Sequence, residues 1–284
     1  MKKAHSMGAL VLRLLLLSSG FLILTAFLLN RTTVQAQPAN EPASDEPATS
    51  LKNSLLPVQV VVENLQRKNA LRAAALTRFE GTRVYRVQYR GFPSDHDAEM
   101  VVHVTFRAPS SKEFTVVSQT GSKFIGDRIF KKLLEGEQEA ANEENRQRSA
   151  LNTENYDFAM AGYEDSPDGG RYILDLLPKT KNKFLYRGKI WVDAKDFAVT
   201  RIEAEPAKNP SFWIKKTDVS HRYVKVDDFW LPAENHSESL IRLGGKATLS
   251  IEYRDYKIVE ATPLNQPAHA QTEHAQTMAT AKPH

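Results

Sequence analysis

The chain has 284 residues, no cysteine, and 38 Lys and Arg against 34 Asp and Glu. Without cysteine there is no disulfide framework, no thiolate metal site and no thiol nucleophile, so stability has to come from a buried core. The basic excess lies wholly within residues 1–36, which hold Lys2, Lys3, Arg13 and Arg31 and no acid, leaving 34 charges of each sign on the rest of the chain; that balance removes the reason to expect a nucleic-acid or anionic-membrane surface.

Lys2 and Lys3 precede an apolar run from Met7 to Leu29, followed by polar Asn30 to Thr33 and by Val34-Gln35-Ala36. This is the layout of a secretory signal peptide over residues 1–36, with compact residues before a cut at Gln37, and it predicts a periplasmic protein. The alternative is an uncleaved anchor, since Ala9 to Leu29 is long enough to span a bilayer with Arg13 snorkelling at one end. No cysteine follows the run, which excludes lipid attachment through an N-terminal cysteine. Residues 37–50, QPANEPASDEPATS, contain no large apolar side chain and read as a disordered linker; the Pro-, Ala- and His-containing stretch 261–284 reads as a disordered tail.

Residues 51–260 are expected to fold as one domain. Val58 to Thr77 places Val58, Val61, Val62, Leu65 and Leu71 near helical spacing after Pro57, predicting a first amphipathic helix. The period then changes to two: Tyr85, Val87 and Tyr89 alternate with arginine and glutamine, and Val102, Val104 and Phe106 alternate with His103 and Thr105. These read as half-buried strands, with Pro109-Ser110-Ser111 turning into a third that carries Phe114 and Val116. A second helix is predicted over Gly126 to Gln147, apolar only in its first half (Ile129, Phe130, Leu133, Leu134). Seven further strands follow from Tyr156, punctuated by Asp168-Gly169-Gly170, Lys181-Asn182, Asp227-Asp228 and Gly244-Gly245. About ten antiparallel strands are too many for a flat sheet. The expected fold is mainly β (α+β): a single strongly curved antiparallel sheet forming a half-open barrel with about two helices on its concave side.

Catalytic motifs are absent. There is no G-x-S-x-G nucleophile elbow, no G-x-x-x-x-G-K-[ST] and no G-x-G-x-x-G. Glu135, Glu137, Glu139, Glu143 and Glu144 lie among Lys131, Lys132, Arg146 and Arg148, the pattern of a solvated helix face. His96, His103, His221 and His236 lack metal-ligand spacing and read as surface histidines, so no metal and no cofactor is expected. What remains is an apolar inventory on alternating strand faces and on the second helix. Its ordinary meaning is a core, but the interior of a curved sheet can also hold a lipid-like ligand. The candidates for lining such a cavity are Tyr85, Val87, Tyr89, Val102, Val104, Phe106, Phe114, Val116, Ile129, Phe130, Leu133 and Trp191.

Within Asn155 to Tyr256, the runs YILDLLPKTKNKFLYRGKIWVDAKDFAVTRIEAEP and VDDFWLPAENHSESLIRLGGKATLSIEYRDY give a Y-x-L-x-x-x-P, W-V-D, R-I-E order. In this it resembles the outer-membrane lipoprotein-sorting-like proteins, relatives of the LolA and LolB carriers and of the RseB sensor domain. The resemblance implies a half-open barrel with helices as a lid over an apolar cavity for acyl chains. It also implies a non-enzymatic protein whose partner is a lipid or lipoprotein acyl chain, with no nucleic acid. The alternative is an envelope sensor or scaffold of RseB type that binds another protein.

Overall fold

The computed structural model describes residues 55–264 except Pro93, Phe124, Ala141, Ser166, Asp168, Lys183, Pro210, Ser211 and Leu243. The expected signal peptide and linker, and the expected tail from residue 265 on, lie outside the described residues. Helix α1 (Val58–Ala75) starts directly after Pro57, whose fixed φ suits a helix start, and ends where Leu76 turns extended and enters β1. Its apolar stripe of Val61, Val62 and Leu65 is buried.

Strands β1 (Leu76–Arg90), β2 (His96–Arg107) and β3 (Ser111–Gly121) form a meander. The chain then passes through a π-helical turn, Ile125–Phe130, into α2 (Lys131–Ala140) and α3 (Glu143–Ser149). The remaining strands are β4 (Tyr156–Glu164), β5 (Arg171–Pro178), β6 (Tyr186–Asp193), β7 (Val199–Pro206), β8 (Ile214–Val226), β9 (Phe229–Ile241) and β10 (Lys246–Ala261). All ten belong to one sheet in the order β3-β2-β1-β10-β9-β8-β7-β6-β5-β4, which leaves β3 and β4 as open edges. Every pairing is antiparallel. The fold is therefore the half-open barrel expected. No helix among the described residues is long and apolar enough to cross a membrane.

Register shows that the helices share one face of the sheet. Directly opposed residues point to the same side, and the row Leu174, Ile190, Ile202, His221, Asn235, Ile251, Tyr85, Met100 is continuous from β5 to β2. At one end of this face α1 packs on β4 to β8, with Val61, Val62 and Leu65 against Tyr156, Leu174 and Ile190. At the other, Ile125, Ile129, Phe130 and Leu133 pack on β1, β2 and β10. A third cluster, Ala75, Leu76, Phe79, Phe229 and Leu231, closes the sheet beneath the end of α1. The opposite face is laced with cross-strand ion pairs such as Arg86–Glu99 (2.7 Å) and Lys189–Asp175 (2.6 Å), as expected of a solvated side.

Two boundaries differ from the sequence expectation. The single helix expected from Gly126 to Gln147 is broken, because the Asn142 side chain accepts from the Glu144 backbone N–H (2.9 Å) and so caps a new helix. The chain is also ordered beyond Ala261: the Thr262 N–H donates to the Ala75 carbonyl (2.8 Å), and Leu264 packs on the third cluster.

Candidate functional site

Tyr85, Val87 and Tyr89 from β1 and Val102 and Val104 from β2 converge with Ile129, Phe130 and Leu133 in one buried cluster, and Phe114 packs against its margin. The alternation in β1 and β2 turns these residues to the helix-bearing face, and the i, i+4 stripe of Ile129 and Leu133 answers them. Three candidates lie elsewhere. Phe106 belongs to the third cluster, stacked on Phe79 with ring centroids 5.0 Å apart. Val116, on the edge strand, is 51% exposed. Trp191 sits on the opposite face, because Ile190 and Val192 take the inner positions; its ring lies under Arg201 at 4.4 Å and its Nε1 donates to Glu164 (3.0 Å).

Glu137 was expected on a solvated helix face. It is instead completely buried, because it continues the Ile129–Leu133 stripe by one more helical turn. Its carboxylate accepts hydrogen bonds from the Arg83 guanidinium and the Tyr85 hydroxyl and lies 3.6 Å from the Lys112 Nζ. The guanidinium is further held over the rings of Tyr253 (5.1 Å) and Phe114 (5.7 Å). Thus α2 is tied to β1 and β3 by a carboxylate shared between two cations inside an apolar cluster.

Protonation follows from that arrangement. Burial alone would raise the Glu137 carboxyl, but the Arg83 and Lys112 charges and the two hydrogen bonds outweigh it and hold the group below the usual carboxylate range. Burial lowers Lys112 to about 8, helped by the Arg83 charge and only partly offset by Glu137. The Tyr85 hydroxyl is raised by burial and by the neighbouring carboxylate, so it stays a donor.

Between the two helix-covered clusters, the inner face of β8 and β9 is polar. Thr217, Asn235, Ser237 and Ser239 are buried there, with Thr217 Oγ1 and Ser239 Oγ 2.8 Å apart. His221, expected at the surface, is buried on the same face, and burial holds its imidazole well below the usual range and therefore neutral. The sequence gives no sign of this burial, since Glu234, His236 and Glu238 interleave with these residues and the whole run reads as polar.

A groove of about 680 Å³ runs over the outer face, lined by Arg187, Glu203, Glu205, Asp218, His236 and Glu238 among others. Three of these four acids are engaged: Glu203 pairs with Arg201, Asp218 with Lys216 (2.6 Å) and Glu238 with Lys246 (2.8 Å). A charged, solvated groove does not suit an apolar ligand. Among the described residues there is no group of three or more His, Asp or Glu able to hold a metal ion.

No family model matches the sequence, and no curated protein matches it. Solved structures do match. One is a LolA superfamily protein from Nitrosomonas europaea, 12% identical, covering 73% of this chain and 96% of that one with a TM-score of 0.31. Another is a domain ascribed to outer membrane lipoprotein sorting from Vibrio parahaemolyticus, 10% identical over 75% of this chain and 97% of that one, TM-score 0.35. A chain of the Pseudomonas aeruginosa MucA/MucB complex is 10% identical over 72% of this chain and all of that one, TM-score 0.23. Identities and TM-scores this low carry nothing about ligand or partner.

Proposed function

We propose that this chain is an exported, non-enzymatic binding protein that carries an acyl chain, of a lipid or an acylated protein, between its sheet and the helix Ile125–Ala140. The observation that carries this reading is the construction of the first cluster. An apolar floor from β1, β2 and β10 is covered by a helix that is not part of the sheet, follows a π-helical turn, and is pinned by a buried ion pair. Removing such a helix exposes a continuous apolar surface while the sheet's own hydrogen bonds stay intact. π-helical turns inside helices are frequent at functional sites. A buried ion pair is poor evidence for added stability, so it suits a cover that must be released better than a permanent core does. Export rests on the layout of residues 1–36, with the periplasm as the destination.

The test is displacement of a fluorescent fatty acid from the purified mature protein. Saturable binding that Leu133→Asp abolishes while the protein keeps its circular dichroism supports the reading, and absence of any binding removes it.

A second reading is favoured by β3. This edge strand is eleven residues long and exposes Val116 and Val117 (51% and 65%) beside an unpaired backbone edge. Edges of this kind accept a strand from another chain, which suits an envelope protein partner and a sensing or scaffolding role.

A further inference from the structure

The polar inner face of β8 and β9 is not explained by an apolar acyl site. Asn235 and Ser237 are 4% and 3% exposed, and among the described residues no side-chain hydrogen bond is seen for either, their polar atoms being not wholly enclosed. Their direction is fixed by register: Ser237 stands between Val219 and Leu249, and Asn235 stands beside Ile251, all of them inner-face core positions. Among the described residues the Tyr253 hydroxyl, on the neighbouring strand and the same face, is the one atom of these three side chains that is wholly enclosed without a partner. A wholly enclosed polar group left unpaired costs roughly 1–3 kcal/mol, so the Tyr253 hydroxyl is normally tolerated only where something else satisfies it, and Asn235 and Ser237 stand on the same face.

We infer that the inner face of β8, β9 and β10 around Asn235, Ser237 and Tyr253 is a subsite for an uncharged hydrogen-bonding group attached to an acyl chain, such as an amide or a glyceryl hydroxyl. The inference rests on the carrier reading and adds the chemistry of the ligand's head. Asn235 offers two donors and an acceptor, and each hydroxyl offers one donor and two acceptors, so both hydroxyls and amides can be met. Among the described residues the buried positions of β8, β9 and β10 carry no Asp, Glu, Lys or Arg to meet a carboxylate or ammonium, and the His221 imidazole is neutral. The subsite lies between the cluster covered by Ile125–Ala140 and the cluster covered by α1, so a chain lying in the first would place its head at Asn235 and Ser237.

The experiment compares three probes of equal chain length by displacement of the fluorescent fatty acid: methyl palmitate, 1-palmitoylglycerol and N-palmitoylglycinamide. The subsite predicts about tenfold tighter binding for at least one of the last two. The glycerol derivative gaining points to a lipid source, and the amide gaining points to an acylated peptide. Asn235→Leu should abolish the gain while leaving methyl palmitate within twofold of its original affinity, and should raise the melting temperature, because an unpaired polar group is replaced by an apolar one of similar size. Equal affinities for all three probes overturn the subsite and leave the carrier reading standing, and so does a gain that persists in both Asn235→Leu and Ser237→Ala. A lowered melting temperature in Asn235→Leu also counts against the subsite, since it means that Asn235 is a structural hydrogen-bonding residue. Failure of all three probes to bind overturns both.

Discussion

Glu137→Gln is the perturbation that most directly probes how α2 is held. Gln keeps the shape and can still meet Tyr85, but it leaves the Arg83 and Lys112 cations buried without their shared counter-charge. Glu137 is fully buried and the Arg83 and Lys112 side chains are only 5% and 6% exposed, so water screens little of the loss. Breaking a buried pair by removing one partner costs about 3–5 kcal/mol, a large share of the roughly 5–15 kcal/mol that hold a domain together. With a urea dependence of about 2 kcal/mol per molar, the unfolding midpoint should fall by about 2 M. Replacing the set together, as Arg83→Met, Lys112→Met and Glu137→Leu, removes every charge at once and should be neutral or stabilising by about 1–4 kcal/mol. The assay is equilibrium urea unfolding followed by tryptophan fluorescence and far-ultraviolet circular dichroism. A Glu137→Gln midpoint within about 0.5 M of the parent, or a triple variant less stable than Glu137→Gln, refutes the claim that the ion pair pins the helix.

Other outcomes follow from the same interior. Lys112 has its ammonium lowered to about 8 against an ordinary 10.5, so the unfolded chain binds more protons there between those values; its contribution to stability should rise by about 3 kcal/mol from pH 8 to 10.5, read as the difference between the parent and Lys112→Met, because the buried tyrosines, Tyr85 and Tyr253 among them, are raised above 10 and act in the opposite direction in both proteins. Leu133→Ala removes a fully buried side chain from the covering helix and should cost about 2–5 kcal/mol by thermal unfolding, with faster amide exchange concentrated in Ile125–Ala140. A side chain at Gly188 would meet the Glu203 carbonyl at 2.1 Å and the Ala204 Cα at 2.6 Å, so Gly188→Val should force β6 from β7 and lower the soluble yield, whereas Gly162→Ala, with only Ile173 Cδ1 at 3.9 Å, should be tolerated.

Much of the sheet was legible because its strands keep a strict period of two. Tyr85-Val87-Tyr89 and Val102-Val104 announce an inner face without any knowledge of their neighbours, and the turns at Gly169-Gly170 and Gly244-Gly245 separate the strands. What the period does not contain is the partner. That β1 pairs with β10, Tyr85 opposite Ile251, is a long-range choice made when the sheet curls, and it is the register of β9 against β8 and β10 that sets Ser237 and Asn235 among core residues. Glu137 was hidden differently. It sits in a charge run that looks solvated, yet it lies four residues beyond Leu133 and eight beyond Ile129, and that stripe was the available signal. Arg83 gives the matching clue, two residues before Tyr85 on the buried face of β1. Trp191 stands among the cavity candidates for its size, yet it alternates with Ile190 and Val192 and shares its side with Lys189 and Asp193, which marks that side as the mixed, outward one.

The central claim is that the chain carries an acyl-bearing molecule, and native mass spectrometry of the protein purified from its own envelope without detergent tests it most directly. The expected result is a bound mass that organic extraction releases, that contains a long acyl chain, and that Leu133→Asp protein lacks. A single ligand-free mass, together with failure to take up an added fluorescent fatty acid, contradicts it.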